Sequence, residues 1–179
     1  LQMASVTSTV SNGGRVFQPR LIERVAERDG KIVFREPPEI KHDLTKEGLT
    51  RESVETVKRG MWRVVNESGG TAPRAKSEIT TISGKTGTTQ TGKPNEPTNA
   101  WFIAYAPYDT PELAVCVFVH NGFSGGRAAA PIAKNIIDET MAMRKGKNIT
   151  LERLPEAEGN FDRIEMVSFD SEGLKEYAS

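Results

Sequence analysis

The residue types best suited to chemistry lie in one short segment of the chain, Ser83-Gly84-Lys85-Thr86-Gly87-Thr88-Thr89. The ammonium group of the lysine supplies positive potential for a carboxylate, and threonine hydroxyls can hydrogen-bond the same group. The glycine in the middle has no side chain, so an extended ligand can lie against the backbone there. The segment therefore predicts a strand that binds a carboxylate, although a Lys-Thr-Gly tripeptide also occurs by chance, usually in a turn.

The residue pattern gives little support for a metal site, a disulfide, a nucleotide site or nucleic-acid binding. The two histidines, His42 and His120, are far apart in the sequence and the lone Cys116 has no partner, so neither a metal site nor an internal disulfide is predicted. Lys85-Thr86 lies inside a strand pattern rather than in a phosphate-binding loop, which argues against a nucleotide. Because 24 basic residues balance 24 acidic ones, nothing indicates nucleic acid as a partner. We expect no cofactor and no metal.

The first part of the chain predicts a helix and a hairpin. Apolar side chains between positions 1 and 10 recur at helical spacing, and Asn12-Gly13-Gly14 is typical of a helix end. Asp29-Gly30 between two β-prone runs predicts a hairpin, followed by a loop over residues 35–43. Thr50 can cap a second helix, whose buried face would carry Val54, Val57, Met61, Val64 and Val65.

The strand that carries Lys85 is predicted to belong to an antiparallel sheet. β-prone runs at residues 79–89, 100–106 and 113–120 are joined by short connections, which favours a three-stranded meander. The apolar run around Cys116 predicts a strand that is covered on both faces and a buried thiol. A last helix over residues 128–143 begins near Pro131. The fold class is thus α/β of the α+β type, with an antiparallel sheet flanked by helices.

The ends of the chain differ in character from its middle. Residues 144–179 are more polar and are predicted to form a partly ordered tail, with one short strand over residues 163–169. No run approaches the roughly 18 to 20 apolar residues that cross a bilayer, and no signal peptide is visible. Since the chain begins with Leu1 in a helical pattern, we expect it to start inside a larger protein.

Segments on both sides of Lys85 form a recognisable series. Upstream are Arg59-Gly60-Met61-Trp62-Arg63 and Gly69-Gly70-Thr71-Ala72; downstream are Asn99-Ala100-Trp101-Phe102-Ile103 and Ala128-Ala129-Ala130-Pro131. With Asn12-Gly13-Gly14 near the start, residues 1–143 resemble the C-terminal half of the transpeptidase domain of the penicillin-binding proteins, which carry a Lys-Thr-Gly element. Within that family the chain is most similar to the class B enzymes, particularly penicillin-binding protein 2.

The resemblance implies a partial β-lactamase/transpeptidase-like fold and an acyl-transfer reaction. In the family a serine attacks the peptide bond between two D-alanines of a peptidoglycan stem peptide, and an amine from another stem resolves the acyl-enzyme; β-lactams acylate the same serine. By resemblance, Lys85 would lie beside the serine of a Ser-X-Asn element, and Thr86 and Thr88 would hold the substrate carboxylate. The Thr88 amide would be an oxyanion-hole donor, and Gly87 and Thr89 would line the substrate cleft.

The resemblance also implies partners and a location. Expected partners are peptidoglycan stem peptides, β-lactam antibiotics, the N-terminal half of the same protein and a cell-wall polymerase, at the bacterial cell membrane with the domain on its periplasmic or extracellular side. Trp101 is expected to pack the sheet against a helix. A loop that could face the cleft carries His120, Asn121, Ser124 and Arg127, to which we assign no catalytic role.

The chain departs from the family pattern in one respect. Neither Ser-X-X-Lys nor Ser-X-Asn occurs among its 179 residues, so the nucleophile, its activating lysine and the second serine are not in this segment. Ser83-Gly84-Lys85 has the wrong spacing, because an activating lysine stands one helical turn from its serine. We expect this chain alone to be inactive, and its exposed apolar surface to associate with its other half or with itself.

Two other functions remain open from the sequence. A serine β-lactamase or β-lactam sensor would share the fold and differ in deacylation. A non-catalytic binding module would retain the sheet, with Lys85 merely solvated. An upstream Ser-X-X-Lys would argue against the binding module, and rapid hydrolysis of a cephalosporin by the longer protein would favour the β-lactamase.

Overall fold

The computed structural model describes residues 1–90, 92 and 97–146 of the chain. Three α-helices are α1 (Gln2–Ser11), α2 (Arg51–Asn66) and α3 (Ala130–Arg144), and the strands are β1 (Arg15–Phe17), β2 (Arg24–Ala26), β3 (Ile32–Arg35), β4 (Ile40–Asp43), β5 (Ser83–Thr89), β6 (Asn99–Ala106) and β7 (Leu113–Val119). Short 3₁₀ turns at Leu44–Glu47 and Pro73–Ala75 and a π-helical turn at Gly125–Ala129 complete the order. The mixture of helices with antiparallel sheet confirms the predicted fold class.

The central sheet is the antiparallel meander β5-β6-β7. Its register places Lys85 opposite Ile103, and Ile103 opposite Cys116. The three predicted strands are therefore confirmed, with one correction at the start of the first. β5 begins at Ser83 rather than at residue 79 because the preceding backbone turns around Ser77, whose hydroxyl accepts the amides of Ile79 at 2.9 Å and Thr80 at 3.3 Å.

The two faces of the sheet are covered by different helices. Side chains alternate between the faces of a strand, and one face, which carries Phe102 and Val117, joins the buried core with Val65 of α2 and Ile137 of α3. The opposite face is approached by α1, whose Ala4, Ser5 and Ser8 share a small hollow with Ala114 of β7. The sheet is thus sandwiched between α1 and the α2–α3 pair.

Coverage of β7 by α1 is incomplete, which corrects a prediction. Phe118 is 47% exposed and Cys116 is only half-buried, although the apolar run predicted a strand covered on both faces. The reason is that the ten-residue helix α1 reaches only part of this face. The end of the sheet that bears Trp101 and Phe118 is left open.

Helix α2 begins as predicted, at an N-cap threonine. The hydroxyl of Thr50 accepts a hydrogen bond from the Ser53 amide at 3.2 Å, which satisfies one of the free amides of the first turn. Val54, Met61 and Val65 are buried, but Val57 is 49% exposed, contrary to the predicted face. Val57 instead lines an open apolar groove between α1 and α2.

The N-terminal segment contains two strands, β1 and β4, that the sequence did not indicate. The β2–β3 hairpin with its turn at Gly30 (φ +88°) is confirmed. Helix α1 ends at Ser11, and its C-cap Asn12 precedes two glycines with positive φ. The predicted loop over residues 35–43, however, includes β4, which pairs with β1. Its partner is distant along the chain, so local patterning gave no signal for it.

The C-terminal helix is confirmed, with a different beginning. The π-helical turn Gly125–Ala129 leads directly into α3, which has Pro131 in its first turn. No helix within residues 1–90 and 97–146 is long and apolar enough to cross a membrane. The predicted tail strand over residues 163–169 lies outside the described residues, as do all residues of the tail from 147 to 179.

Candidate active site

Strand β5 brings all five predicted site residues together, on alternating faces. Lys85, Gly87 and Thr89 oppose Ile103, Trp101 and Asn99 of β6, whereas Thr86 and Thr88 oppose Phe102 and Ala100. The strand changes from fully buried at its start to exposed at its end. The side chains of Thr86 and Thr88 therefore lie on one face of the sheet, and the side chain of Lys85 leaves the strand on the opposite face.

One edge of β5 is not paired to another strand in the described part of the chain. Near the start of the strand this edge meets α2, where the Asn66 side-chain amide donates to the Ile82 carbonyl at 2.9 Å. Further along, the Lys85 ammonium donates to the Thr86 carbonyl at 2.7 Å. Since alternate residues of a strand direct their backbone groups to the same side, the amide of Thr88 faces this open edge as well.

The two glycines of the motif strand, Gly84 and Gly87, are also required by the packing of β5 on β6. A Cβ on Gly84 would lie 2.4 Å from Cζ of Phe102, and a Cβ on Gly87 would lie 3.1 Å from Cβ of Trp101. Gly87 was predicted to admit a ligand, and its missing side chain also accommodates the indole. Trp101 in turn contacts Phe118 of β7, with ring centroids 4.5 Å apart.

The hydroxyl of Thr86 has a partner from outside the sheet. Thr71 Oγ1 and Thr86 Oγ1 lie 2.9 Å apart, and either can be the donor. Thr71 belongs to the turn that follows α2, where the Ala72 amide donates to the Val64 carbonyl at 3.0 Å. The Gly-Gly-Thr-Ala segment is thus attached directly to the first threonine of the motif.

The loop after β7 also reaches the motif, through its two glycines. A Cβ on Gly125 would lie 2.2 Å from the Trp101 carbonyl oxygen and 2.7 Å from that of Gly87, and a Cβ on Gly126 would lie 2.1 Å from the Thr71 carbonyl oxygen. Only glycine allows backbones to approach this closely. Ser124 precedes the π-helical turn, and Arg127 is exposed within it.

Asn121 of this loop serves a structural purpose. It adopts a positive φ of 54°, and its backbone amide donates to the side-chain oxygen Oδ1 of Asn99 at 3.0 Å. The loop therefore lies at the motif, as the sequence suggested. The residues in contact with the motif are the glycines, which the sequence analysis did not single out.

A tyrosine near the start of β5 is excluded as a base. Tyr105 opposes Ser83 in the register, and both side chains are fully buried. Burial raises the pKa of Tyr105 well above its ordinary value, and the Ser83 hydroxyl offsets this only in part. The phenol of Tyr105 therefore stays neutral at physiological pH.

Thr71 and the Gly125-Gly126 pair are the site residues that sequence reasoning missed. The signals available were the Gly-Thr-Ala turn itself and a glycine pair just before the last helix. No group of acidic, histidine or cysteine residues suited to a metal ion occurs in the part of the chain that the structure describes. The arrangement can bind an anion and offer backbone amides to it.

Comparison with known proteins identifies the family of this chain. Residues 1–138 match the model of the penicillin binding protein transpeptidase domain. The chain is 34% identical over 159 residues to the peptidoglycan D,D-transpeptidase MrdA of Haemophilus influenzae, covering 80% of this chain and 24% of that protein. It is 30% identical over 150 residues to penicillin-binding protein 2B of Streptococcus pneumoniae, covering 77% and 22%.

Solved structures give the same relationship. Penicillin-binding protein 2B of Streptococcus pneumoniae superposes with a TM-score of 0.66 at 26% identity, covering 84% of this chain and 25% of that one. A ceftriaxone acyl-enzyme complex of penicillin-binding protein A of Mycobacterium tuberculosis gives 0.62 at 26% identity, covering 75% and 30%. The chain belongs to the penicillin-binding protein transpeptidase family. It spans about a quarter of the length of the curated relatives named above.

Proposed function

We propose that residues 1–143 are the C-terminal half of the transpeptidase domain of a peptidoglycan D,D-transpeptidase, which cross-links stem peptides through an acyl-enzyme and is acylated by β-lactams. The observation that carries the proposal is the open edge of β5. The backbone groups of Thr86 and Thr88 face this unpaired edge, whereas Gly87 between them opposes Trp101 of β6, and the Lys85 ammonium donates to the Thr86 carbonyl at 2.7 Å. An extended peptide that ends in a carboxylate fits such an edge.

Each residue of the motif has a role in this proposal. Lys85 supplies positive potential beside the reacting serine, and the hydroxyls of Thr86 and Thr88 hold the terminal carboxylate of the stem peptide. The backbone amide of Thr88 stabilises the oxyanion as the serine adds to the carbonyl. Gly87 and Thr89 line the cleft along the bound peptide.

The remaining machinery would come from outside these 179 residues, in a longer protein that we call the parent protein. It would supply the nucleophilic serine, the lysine that activates it and the second serine. Its N-terminal half is then the first partner of this chain, followed by a cell-wall polymerase. We propose a location at the bacterial cell membrane, with the domain on the periplasmic or extracellular side.

The names of the relatives support the substrate class. The Haemophilus influenzae protein is a peptidoglycan D,D-transpeptidase, and the Mycobacterium tuberculosis protein forms acyl-enzymes with ceftriaxone and with imipenem. The first is 34% identical to this chain over 159 residues, and the second superposes on it with a TM-score of 0.62. A β-lactamase would also be acylated, but it would then hydrolyse the acyl-enzyme quickly.

Labelling with a fluorescent penicillin tests the proposal. The parent protein is expected to acquire a stable covalent label that survives denaturation, whereas the 179-residue chain alone stays unlabelled. Rapid turnover of a chromogenic cephalosporin by the parent protein would replace the transpeptidase with a β-lactamase. Absence of any label on the folded parent protein would leave a binding module as the better description.

A further inference from the structure

We infer that Thr71 is a positioning residue for Thr86: it holds the Thr86 hydroxyl so that its single proton points toward the substrate carboxylate. The inference rests on the function proposed above and adds a residue outside the Lys-Thr-Gly strand. Its basis is the direct contact between the two hydroxyl oxygens, 2.9 Å apart. Thr71 lies 15 residues before Thr86, so the contact is made by the fold.

The backbone of Thr71 is fixed from the side of α2. The turn begins with Gly69 in the left-handed region (φ +83°), and the Gly70 amide donates to the Glu67 carbonyl at 3.0 Å. A Cβ on Gly70 would lie 2.4 Å from the Val64 carbonyl oxygen, so this residue packs directly on the end of the helix. The position of Thr71 is therefore determined by α2.

The same backbone is held from the opposite side by the loop before α3. Gly126 packs directly against Thr71: a Cβ on Gly126 would lie 2.1 Å from the Thr71 carbonyl oxygen and 3.6 Å from Cγ2 of Thr86. Thr71 thus occupies a fixed place between α2 and the π-helical turn. A residue held in this way can keep a neighbouring hydroxyl in one rotamer at little further entropic cost.

Counting protons gives the direction of the hydrogen bond. A threonine hydroxyl has one proton to donate and two lone pairs, and the Lys85 ammonium, which lies 3.5 Å from Thr86 Oγ1, can only donate. When Thr86 gives its proton to a carboxylate, Thr71 must be the donor in the pair. The resulting chain runs from Thr71 to Thr86 to the carboxylate, and each bond strengthens the next.

The test replaces the Thr71 hydroxyl in the parent protein and measures the second-order rate constant of acylation by a penicillin and by its methyl ester. Thr71→Val is expected to slow acylation by the free acid about 5- to 10-fold, the effect of losing one hydrogen bond in a charged network. Acylation by the ester, which lacks the negative charge, is expected to change less than about 2-fold. Thr71→Ser keeps the hydroxyl and is expected to restore the rate with the free acid.

A double-mutant cycle separates positioning from a structural effect. In a Thr86→Val background, Thr71→Val is expected to cause no further loss, because the hydroxyl that it positions is gone. Thr56→Val is the matched control, since the Thr56 hydroxyl bonds only within α2, to the Glu52 carbonyl at 2.8 Å. The thermal midpoint of each variant shows that the protein is folded.

Four results would overturn the inference. Equal losses with acid and ester would mean a structural role, and so would a loss that persists in the Thr86→Val background. Wild-type rates for a folded Thr71→Val variant would mean that the contact has no effect, while the proposed function stands. If the wild-type parent protein is not acylated at all, the proposed function fails and the inference fails with it.

Discussion

The hydroxyl of Ser77, in the turn before β5, donates a hydrogen bond to the buried carboxylate of Asp138 on α3. The same oxygen accepts the amides of Ile79 at 2.9 Å and Thr80 at 3.3 Å, and Lys134 lies 2.9 Å from the other carboxylate oxygen. One side chain of the last helix therefore fixes the path of the chain into the strand that carries the motif.

Replacing that carboxylate should destabilise the domain. Asp138→Ala leaves the Ser77 turn and Lys134 without their shared acceptor, and we expect a loss of about 2 kcal/mol in the free energy of unfolding. Urea denaturation of the parent protein measures the change. Glu139→Ala, on the exposed side of the same helix, is the control and should stay within about 0.5 kcal/mol. Equal effects of the two substitutions would contradict the assigned contact.

The sequence predicted those parts of the fold that depend on neighbouring residues. The meander of β5, β6 and β7 follows from alternating β-prone runs with short connections, and α2 follows from its spacing and its Thr50 cap. The motif strand was located for the same reason. That Thr86 and Thr88 share a face follows from the register of β5 on β6 in the structure.

Features that depend on distant contacts could not be predicted. β-branched residues at 79–82 favoured a strand, but Ser77, Asp138 and the Tyr108 amide hold this backbone in a turn. The contact between Thr71 and Thr86 joins a helix end to a strand, and neither segment alone indicates the other. Such pairings are decided by packing, which overrides local propensity.

Two glycines give opposite predictions for the same substitution. A Cβ on Gly84 would lie 2.4 Å from the Phe102 ring and 2.7 Å from the Ile103 carbonyl oxygen, so Gly84→Ala is expected to cost about 1–3 kcal/mol through overpacking. Gly60 lies in α2 with no atom within 4 Å of an added Cβ, so Gly60→Ala is expected to stabilise by up to about 1 kcal/mol. Denaturation curves of the two variants compare them directly. A stabilising Gly84→Ala would refute the packing of β5 on Phe102.

The lone thiol should react slowly in the folded chain. Burial raises the pKa of the Cys116 thiol above its ordinary value, so at neutral to mildly alkaline pH the folded state holds less of the reactive thiolate than the unfolded state does. Alkylation followed from neutral to alkaline pH should therefore reach its half-maximal rate at higher pH in native buffer than in urea. Coincident pH profiles would mean that the folded structure does not raise the pKa of Cys116.

The charge of Lys85 gives the sharpest test of the proposed carboxylate site. Lys85→Met in the parent protein is expected to slow acylation by a penicillin about 10- to 100-fold, the range for a lost hydrogen bond to a charged group. Lys85→Arg keeps the charge but not the compact ammonium, and should recover only part of the rate. Lys46→Met, at a side chain that is 82% exposed, is the control for loss of a positive charge and should leave the rate unchanged. Salt screens attraction between exposed charges. Added salt should therefore slow acylation of the wild-type protein and of the Lys46→Met variant more than acylation of Lys85→Met. The same salt dependence in all three proteins would argue against Lys85 as the group that attracts the carboxylate.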